Sequence, residues 1–112
     1  MRRSRSSLPL LAALLVVLLW PAGAVADPGY TSRALTFQVV VGPNDDIPCT
    51  VDAELYTPTG ASRSDPAPAI LATNGFGGSK DEFSTLGPSY AKHGYVFLAY
   101  SGLGFGGSGC KI

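Results

Sequence analysis

The pattern of apolar and polar residues along the chain predicts four strands of two kinds. Residues 35–41 are rich in β-branched side chains and stop at a Gly-Pro pair, and residues 50–56 alternate between apolar and polar side chains. An alternating strand is half exposed, as an outer antiparallel strand is. Residues 69–73 and 95–100 are apolar throughout, which is typical of strands covered on both faces.

A helix is predicted between the two apolar strands. Ser79 and Glu82 are spaced as in a capping box, where the serine oxygen accepts a hydrogen bond from the amide three residues on and the glutamate reaches back to the serine amide. The helix is expected to run to about His93, because Gly94 suits the left-handed residue that follows a helix. Pro88 lies inside this span and predicts a break or kink at about the preceding residue.

The order strand, strand, strand, helix, strand predicts an α/β fold, a β-hairpin followed by a parallel βαβ unit. Such a unit is right-handed, and parallel sheets carry helices on both faces. This sequence supplies one helix and would leave residues 95–100 as an unpaired edge strand, which is an aggregation liability. We therefore expect the sequence to be the front part of a larger α/β protein, or a truncated product.

The first 26 residues have the layout of a secretory signal peptide. Three arginines precede an apolar run at residues 8–20, and a small-x-small cleavage site ends at Ala26. A membrane anchor is the alternative, but the apolar run is shorter than the ~20 residues that span a bilayer. We expect residues 1–26 to be removed and residues 27–112 to be secreted or extracytoplasmic, with no stable membrane insertion.

Removal of this segment changes the charge of the chain. The full sequence has eight Lys and Arg residues and eight Asp and Glu residues, and three of the arginines lie before residue 27, so five basic and eight acidic residues remain. A mildly acidic domain has no electrostatic reason to bind nucleic acid, and no basic face suited to a membrane surface is present. The 86 remaining residues can form one small core.

The segment Asn-Gly-Phe-Gly-Gly at residues 74–78 directly follows the third predicted strand. In open α/β sheets, ligands bind beyond the carboxyl ends of parallel strands. Glycines leave backbone N–H groups uncovered, and the start of the following helix would add a partial positive field, so the bend could bind a developing oxyanion. A glycine-rich turn without any ligand explains these residues equally well.

Residues 68–112 resemble the start of an α/β-hydrolase domain of the X-Pro dipeptidyl-peptidase and cocaine-esterase type. The likeness is carried by a strand that ends in Asn-Gly-Phe-Gly-Gly, then Ser-Lys, a helix, Gly-Tyr, a strand and the loop SGLGFGGSG. It implies the N-terminal part of a secreted serine hydrolase, peptidase or esterase, that cleaves a small ester or peptide through an acyl-enzyme and needs no cofactor.

The resemblance also implies roles for individual residues. Phe76 would give one backbone N–H to the oxyanion hole, with Gly77 making room for the ligand. The sequence departs from the family at three places: Asn74 stands where the motif has His, Phe76 stands where cocaine-esterase-like members carry a Tyr whose hydroxyl binds the oxyanion, and Leu103 replaces an Arg. The Ser-Asp-His triad is expected downstream, so the 112-residue chain itself is expected to be inactive.

The nucleophilic and metal-binding residue types offer little else. Ser108 lies in Gly-Gly-Ser-Gly-Cys, but no helix follows to form a nucleophile elbow. His93, the only histidine, is expected to interact with the helix dipole and not to act as a base. One His and two Cys at these spacings cannot build a metal cluster.

Two readings of the function other than a hydrolase are also open. The chain could be a small secreted binding or structural protein without enzymatic activity. A weaker hypothesis is the start of a dinucleotide-binding domain, which the literal G-x-G-x-x-G at residues 104–109 favours, although the helix and acidic residue that should follow are missing.

Two cysteines in an exported protein predict one disulfide, with two free thiols as the alternative. In the fold that the resemblance implies, the second strand runs antiparallel beside the strand that follows the first helix. The start of the one then lies near the end of the other, and a Cys49–Cys110 bridge is implied. It would close a loop of about 60 residues and contribute roughly 4 kcal/mol in the chain-entropy treatment.

Overall fold

The computed structural model describes residues 23–111. The predicted signal peptide falls almost wholly on residues 1–22 and so lies outside the described residues. The described elements are the strands β1 (Tyr30–Val41), β2 (Ile47–Pro58), β3 (Ala69–Thr73) and β4 (Val96–Tyr100), a 3-10 helix at Lys80–Phe83 and the helix α1 (Leu86–Lys92).

The four strands form one mixed sheet in the order β1-β2-β4-β3. β1 and β2 are an antiparallel hairpin, in register from Tyr30 opposite Pro58 to Val41 opposite Ile47. β4 pairs antiparallel with β2 and parallel with β3. The helix-containing connection therefore carries the chain from the β3 edge to the interior strand β4.

The predicted α/β fold class is wrong for the described residues. Strands account for 38% of them and helices for 12%, so this part of the chain is a small β-rich domain with a mixed sheet. The leading strands have 12 residues each, because hairpin pairing extends them through polar and proline positions that no alternation marks. The connection between β3 and β4 contains only a four-residue 3-10 helix and the seven-residue α1.

The single helix predicted from Ser79 to about His93 is two short pieces. Ser79 caps the 3-10 helix, and its hydroxyl oxygen accepts a hydrogen bond from the Asp81 amide at 3.2 Å. The chain then breaks at residues 84–85 before α1 begins. Pro88 is the third residue of α1, where its missing N–H removes no intrahelical bond. Gly94 follows with a φ of 90°, as the C-terminal pattern predicts.

One face of the sheet carries the core, and the other is partly open. Tyr56, Phe97 and Ala99 are buried against Ala91 of α1. Gly87 lets α1 approach this face, since a Cβ there would overlap the Tyr56 ring. On the opposite face, Leu71 of β3 is 68% exposed, so the prediction that β3 is covered on both faces is wrong within the described residues.

The edge strand is also not the one predicted. Residues 95–100 were expected to form an unpaired edge, but β4 lies between β2 and β3, and β3 is the edge instead. The segments that form β3 and β4 are both apolar, so their composition does not indicate which of them has a neighbouring strand on each side. The choice depends on the long-range contact between β4 and the hairpin, in which Leu55 lies opposite Leu98.

The disulfide between Cys49 and Cys110 is formed, which confirms the pairing that the resemblance implied. Their Cα atoms are 5.7 Å apart and they are separated by 61 positions in the sequence. The bridge fastens the segment after β4 to the start of β2. A disulfide is compatible with an extracytoplasmic location. Among residues 23–111, no helix has the length and apolar character to cross a membrane.

Candidate functional site

The bend at residues 74–78 and the loop at residues 101–110 leave the carboxyl ends of β3 and β4, which are neighbouring parallel strands. Asn74 joins them. Its side-chain oxygen accepts a hydrogen bond from the Gly102 amide at 2.7 Å, and its side-chain nitrogen donates to the Gly75 carbonyl at 2.7 Å. Asn74 therefore orders the bend.

The bend leaves two consecutive backbone amides free. The Gly78 amide donates to the Gly75 carbonyl at 3.1 Å, which closes a turn, and the Gly75 amide donates to the Glu82 carboxylate at 3.2 Å. Within residues 23–111, the amides of Phe76 and Gly77 have no hydrogen-bond partner. Gly77 has a φ of 80°, a conformation that favours glycine. The oxyanion prediction requires a free amide at Phe76, and the free Gly77 amide is a second donor beside it that the sequence did not predict.

The charges around the bend oppose an anion. Glu82 does not reach back to Ser79 as the capping-box pattern predicts, but lies against the bend, where a Cβ on Gly78 would overlap its carboxylate. The 3-10 helix at Lys80–Phe83 has four residues, too few to supply the expected helix dipole. Any affinity for an anion must therefore come from the N–H groups themselves.

Lys80 does not offset this negative charge. Its side chain is 17% exposed, and its ammonium nitrogen lies 3.7 Å from a carboxylate oxygen of Asp52, 3.8 Å from one of Glu54 and 3.7 Å from one of Asp81. The Lys80 ammonium group is thus paired with the carboxylates of Asp52 and Glu54 on β2 and with that of the adjacent Asp81. The Lys80 amide donates to the Ser101 hydroxyl at 3.0 Å, so Lys80 links the 3-10 helix to the loop after β4.

An aromatic pair stands beside the free amides. The Phe76 side chain is 98% exposed, and its ring centroid lies 5.6 Å from that of Phe105, with an angle of 74° between the planes. This edge-to-face arrangement is a favourable one for two aromatic rings. The sequence did not single out Phe105 as a site residue, because its contact with Phe76 depends on the three-dimensional path of two loops that lie far apart in the chain.

Ser108 is a structural residue of the loop. Its hydroxyl donates to the Ser101 carbonyl at 2.6 Å and accepts from the Asp52 amide at 2.9 Å. The Ser101 amide donates in turn to the Asp52 carbonyl at 2.9 Å, and Ser101 is fully buried. A serine whose proton is held by a carbonyl oxygen has no base beside it to activate it.

The remaining candidate residues make their contacts with other parts of the domain and not with the bend. His93 ends α1, and its Nδ1 lies 2.7 Å from the Ser89 carbonyl oxygen. Leu103 is half-buried in the loop. The Gly104–Gly109 string folds back on β2, since the Gly109 amide donates to the Thr50 carbonyl at 2.7 Å. Residues 101–111 contain no helix, and no metal-binding group of three or more His, Cys, Asp or Glu occurs within residues 23–111.

The fold and this site define the described part as a small β-rich domain with an exposed glycine bend. No protein-family model and no curated protein matches the chain. Among solved structures, the chain is similar to a hypothetical protein of Pseudomonas aeruginosa, with 30% identity, a TM-score of 0.58 and 80% of this chain covered. The chain spans about a quarter of that protein's length, 25%. The likeness supports the arrangement of the strands.

Proposed function

We propose that the chain contributes an oxyanion-binding bend to a secreted acyl hydrolase that cleaves a small ester or peptide. The observation that carries the proposal is the pair of unpartnered amides at Phe76 and Gly77. In acyl transfer, negative charge develops on the carbonyl oxygen, and preorganised N–H donors at about 2.7–3.1 Å lower the barrier. Asn74 and Gly78 hold the bend in shape before any ligand arrives.

The chain itself is proposed to be without turnover, and the activity to belong to a longer protein. The hydroxyl of Ser108 is held between Ser101 and Asp52, and the His93 ring faces its own helix. These residues cannot act together as nucleophile and base. A fluorophosphonate probe should therefore leave the 112-residue chain unlabelled, and labelling would contradict this part of the proposal.

The bend is tested by titrating the ¹⁵N-labelled chain with acetate, a minimal product of acyl hydrolysis. We expect the amide resonances of Phe76 and Gly77 to shift and saturate, while that of Gly78, which is already bonded to Gly75, moves little. Chloride at equal ionic strength is the control for salt effects. If acetate leaves the Phe76 and Gly77 amides unmoved, the oxyanion proposal is wrong.

A second candidate is a small secreted binding or structural protein without enzymatic activity. The carboxylate of Glu82 at the bend favours it, because that negative charge opposes an oxyanion. The two proposals are distinguished by treating the protein that the full reading frame encodes with the fluorophosphonate probe. A serine hydrolase would be labelled, and a binding protein would not. A dinucleotide site has no comparable support, since Gly104–Gly109 is packed against β2.

A further inference from the structure

The free amide and the exposed ring at the bend belong to the same residue, Phe76. A carbonyl oxygen that accepts a hydrogen bond from this N–H lies about 3 Å from the nitrogen. The groups attached to the carbonyl carbon of the ligand then lie within reach of the Phe76 side chain, which branches from the Cα next to that nitrogen. A ligand held by the bend therefore meets the Phe76 ring as well as its amide.

The second ring gives this surface a fixed position. Phe105 is half-buried, its amide donates to the Gly102 carbonyl at 3.0 Å, and its carbonyl accepts from the Ser108 amide at 2.9 Å. Gly102 is in turn bonded to Asn74. The loop that carries Phe105 is thus tied to the bend that carries Phe76, which fixes the Phe105 ring beside the bend. The Phe76 ring is 98% exposed and so is open to contact with a ligand.

The electrostatics of the bend also disfavour small hydrated anions. Glu82 brings a negative charge to the Gly75 amide, and the Lys80 ammonium is held by three carboxylates. A ligand that offers only an anionic group gains little under these conditions. A ligand that also covers the exposed Phe76 ring removes apolar surface from water, which the negative charge does not oppose.

The geometry points to the Phe76–Phe105 pair as an apolar wall of the same site. This wall selects ligands in which a flat apolar group adjoins the carboxylate or the developing oxyanion, so acyl groups with a ring are preferred over acetyl. The inference rests on the proposed function, because it assumes that the Phe76 amide binds the oxygen. It assigns the Phe76 side chain to specificity and leaves oxyanion binding to the backbone.

The test compares acetate, phenylacetate and cyclohexylacetate as probes of the ¹⁵N-labelled chain, with the dissociation constant taken from the Phe76 and Gly77 amide shifts. Phenylacetate should bind about 3- to 10-fold more tightly than acetate, as an added aromatic contact predicts. Cyclohexylacetate should fall between them. Phe76→Ala removes the ring and keeps a backbone N–H at this position, so acetate and phenylacetate should then bind with equal affinity.

Two further variants complete the design. Phe105→Ala should lose part of the preference, because the Phe76 ring then has no partner. Phe37→Ala is the matched control, since Phe37 is an exposed phenylalanine on β1, at the opposite edge of the sheet from β3, and should keep the preference. An unchanged amide spectrum away from the bend establishes that each variant is folded.

The outcomes separate the inference from the proposed function. Equal affinity for acetate and phenylacetate overturns the inference and leaves the oxyanion proposal standing. A preference that survives Phe76→Ala also overturns it, because the apolar contact must then lie elsewhere. If none of the carboxylates moves the Phe76 and Gly77 amides, the oxyanion proposal and the inference fall together.

Discussion

Removal of the Cys49–Cys110 bridge should be the most destabilising of the changes considered for this domain. The two residues are 61 positions apart, and a loop of that length costs the unfolded chain about 4 kcal/mol in closure entropy. A domain of this size has a total free energy of unfolding of about 4–13 kcal/mol at typical values per residue. The bridge thus accounts for a large fraction of the stability.

The perturbation is the double variant Cys49→Ala, Cys110→Ala, because Cys49 is 3% exposed and alanine keeps that position apolar. Urea unfolding followed by far-UV circular dichroism gives the free energy by linear extrapolation. We expect a loss of about 4 kcal/mol relative to the oxidised protein. The wild-type chain measured with a reductant is the control, and it should lose a similar amount.

A loss below about 1 kcal/mol in both the variant and the reduced protein would refute this reasoning, since it is far smaller than the loop-closure term. The loop at residues 101–110 would then be held by its hydrogen bonds alone, such as the one from the Gly109 amide to the Thr50 carbonyl. Amide exchange at Gly102 and Gly109 distinguishes the cases. Faster exchange in the variant indicates that the bridge orders the loop, and unchanged exchange indicates that it does not.

Three further changes have defined outcomes. Ser108→Ala leaves two partly buried partners of its hydroxyl, the Asp52 amide and the Ser101 carbonyl, unpaired and should cost about 1–3 kcal/mol by urea unfolding. The exposed Ser32→Ala is the control and should change stability by less than about 0.5 kcal/mol. Burial, and then nearby negative charge, raises the pKa of Tyr56 above its usual 10.0. Because the folded state keeps the phenol neutral to a higher pH than the unfolded chain does, this contribution to the free energy of unfolding is complete below pH 10.0 and is lost as the pH rises through the folded pKa. Tyr56→Phe should therefore flatten the alkaline fall in unfolding free energy, and Tyr95→Phe should keep it. Glu82→Gln keeps an acceptor for the bend but removes its charge, so NMR titration should show about threefold tighter acetate binding, and weaker binding would contradict the electrostatic argument.

The positions of the strands could be predicted from the sequence, because local pattern and β-branched composition mark them. β3 has the predicted bounds, and β4 begins one residue later than predicted. Their arrangement could not be predicted in the same way. Whether β4 lies inside the sheet or at its edge depends on contacts with β2, which lies some 40 positions earlier in the chain. Composition is local and holds no information on such pairing.

The helix shows how one local pattern can be satisfied in two ways. Ser79 caps a helical turn, but its oxygen accepts from the Asp81 amide and not from the predicted amide of Glu82. The Glu82 carboxylate bonds to the Gly75 amide in place of the Ser79 amide. A glutamate at position 82 can bond to either backbone amide, and the three-dimensional path of the bend decides in favour of Gly75. The prediction that a helix terminus adds a positive field at the bend is also wrong, because the 3-10 helix that Ser79 caps ends at Phe83.

The geometry of the bend depends on residues far from it in the sequence. The disulfide and the Ser108 hydroxyl fasten the loop after β4 to β2, and the Gly102 amide of that loop binds the Asn74 side chain. Asn74 in turn holds the Gly75 carbonyl. The hydrogen bonds in this series all involve a backbone group, and the first of them is anchored on the Asp52 amide of β2. Any loosening of the loop should therefore displace the two free amides, so the bridge that stabilises the domain also preorganises its candidate site.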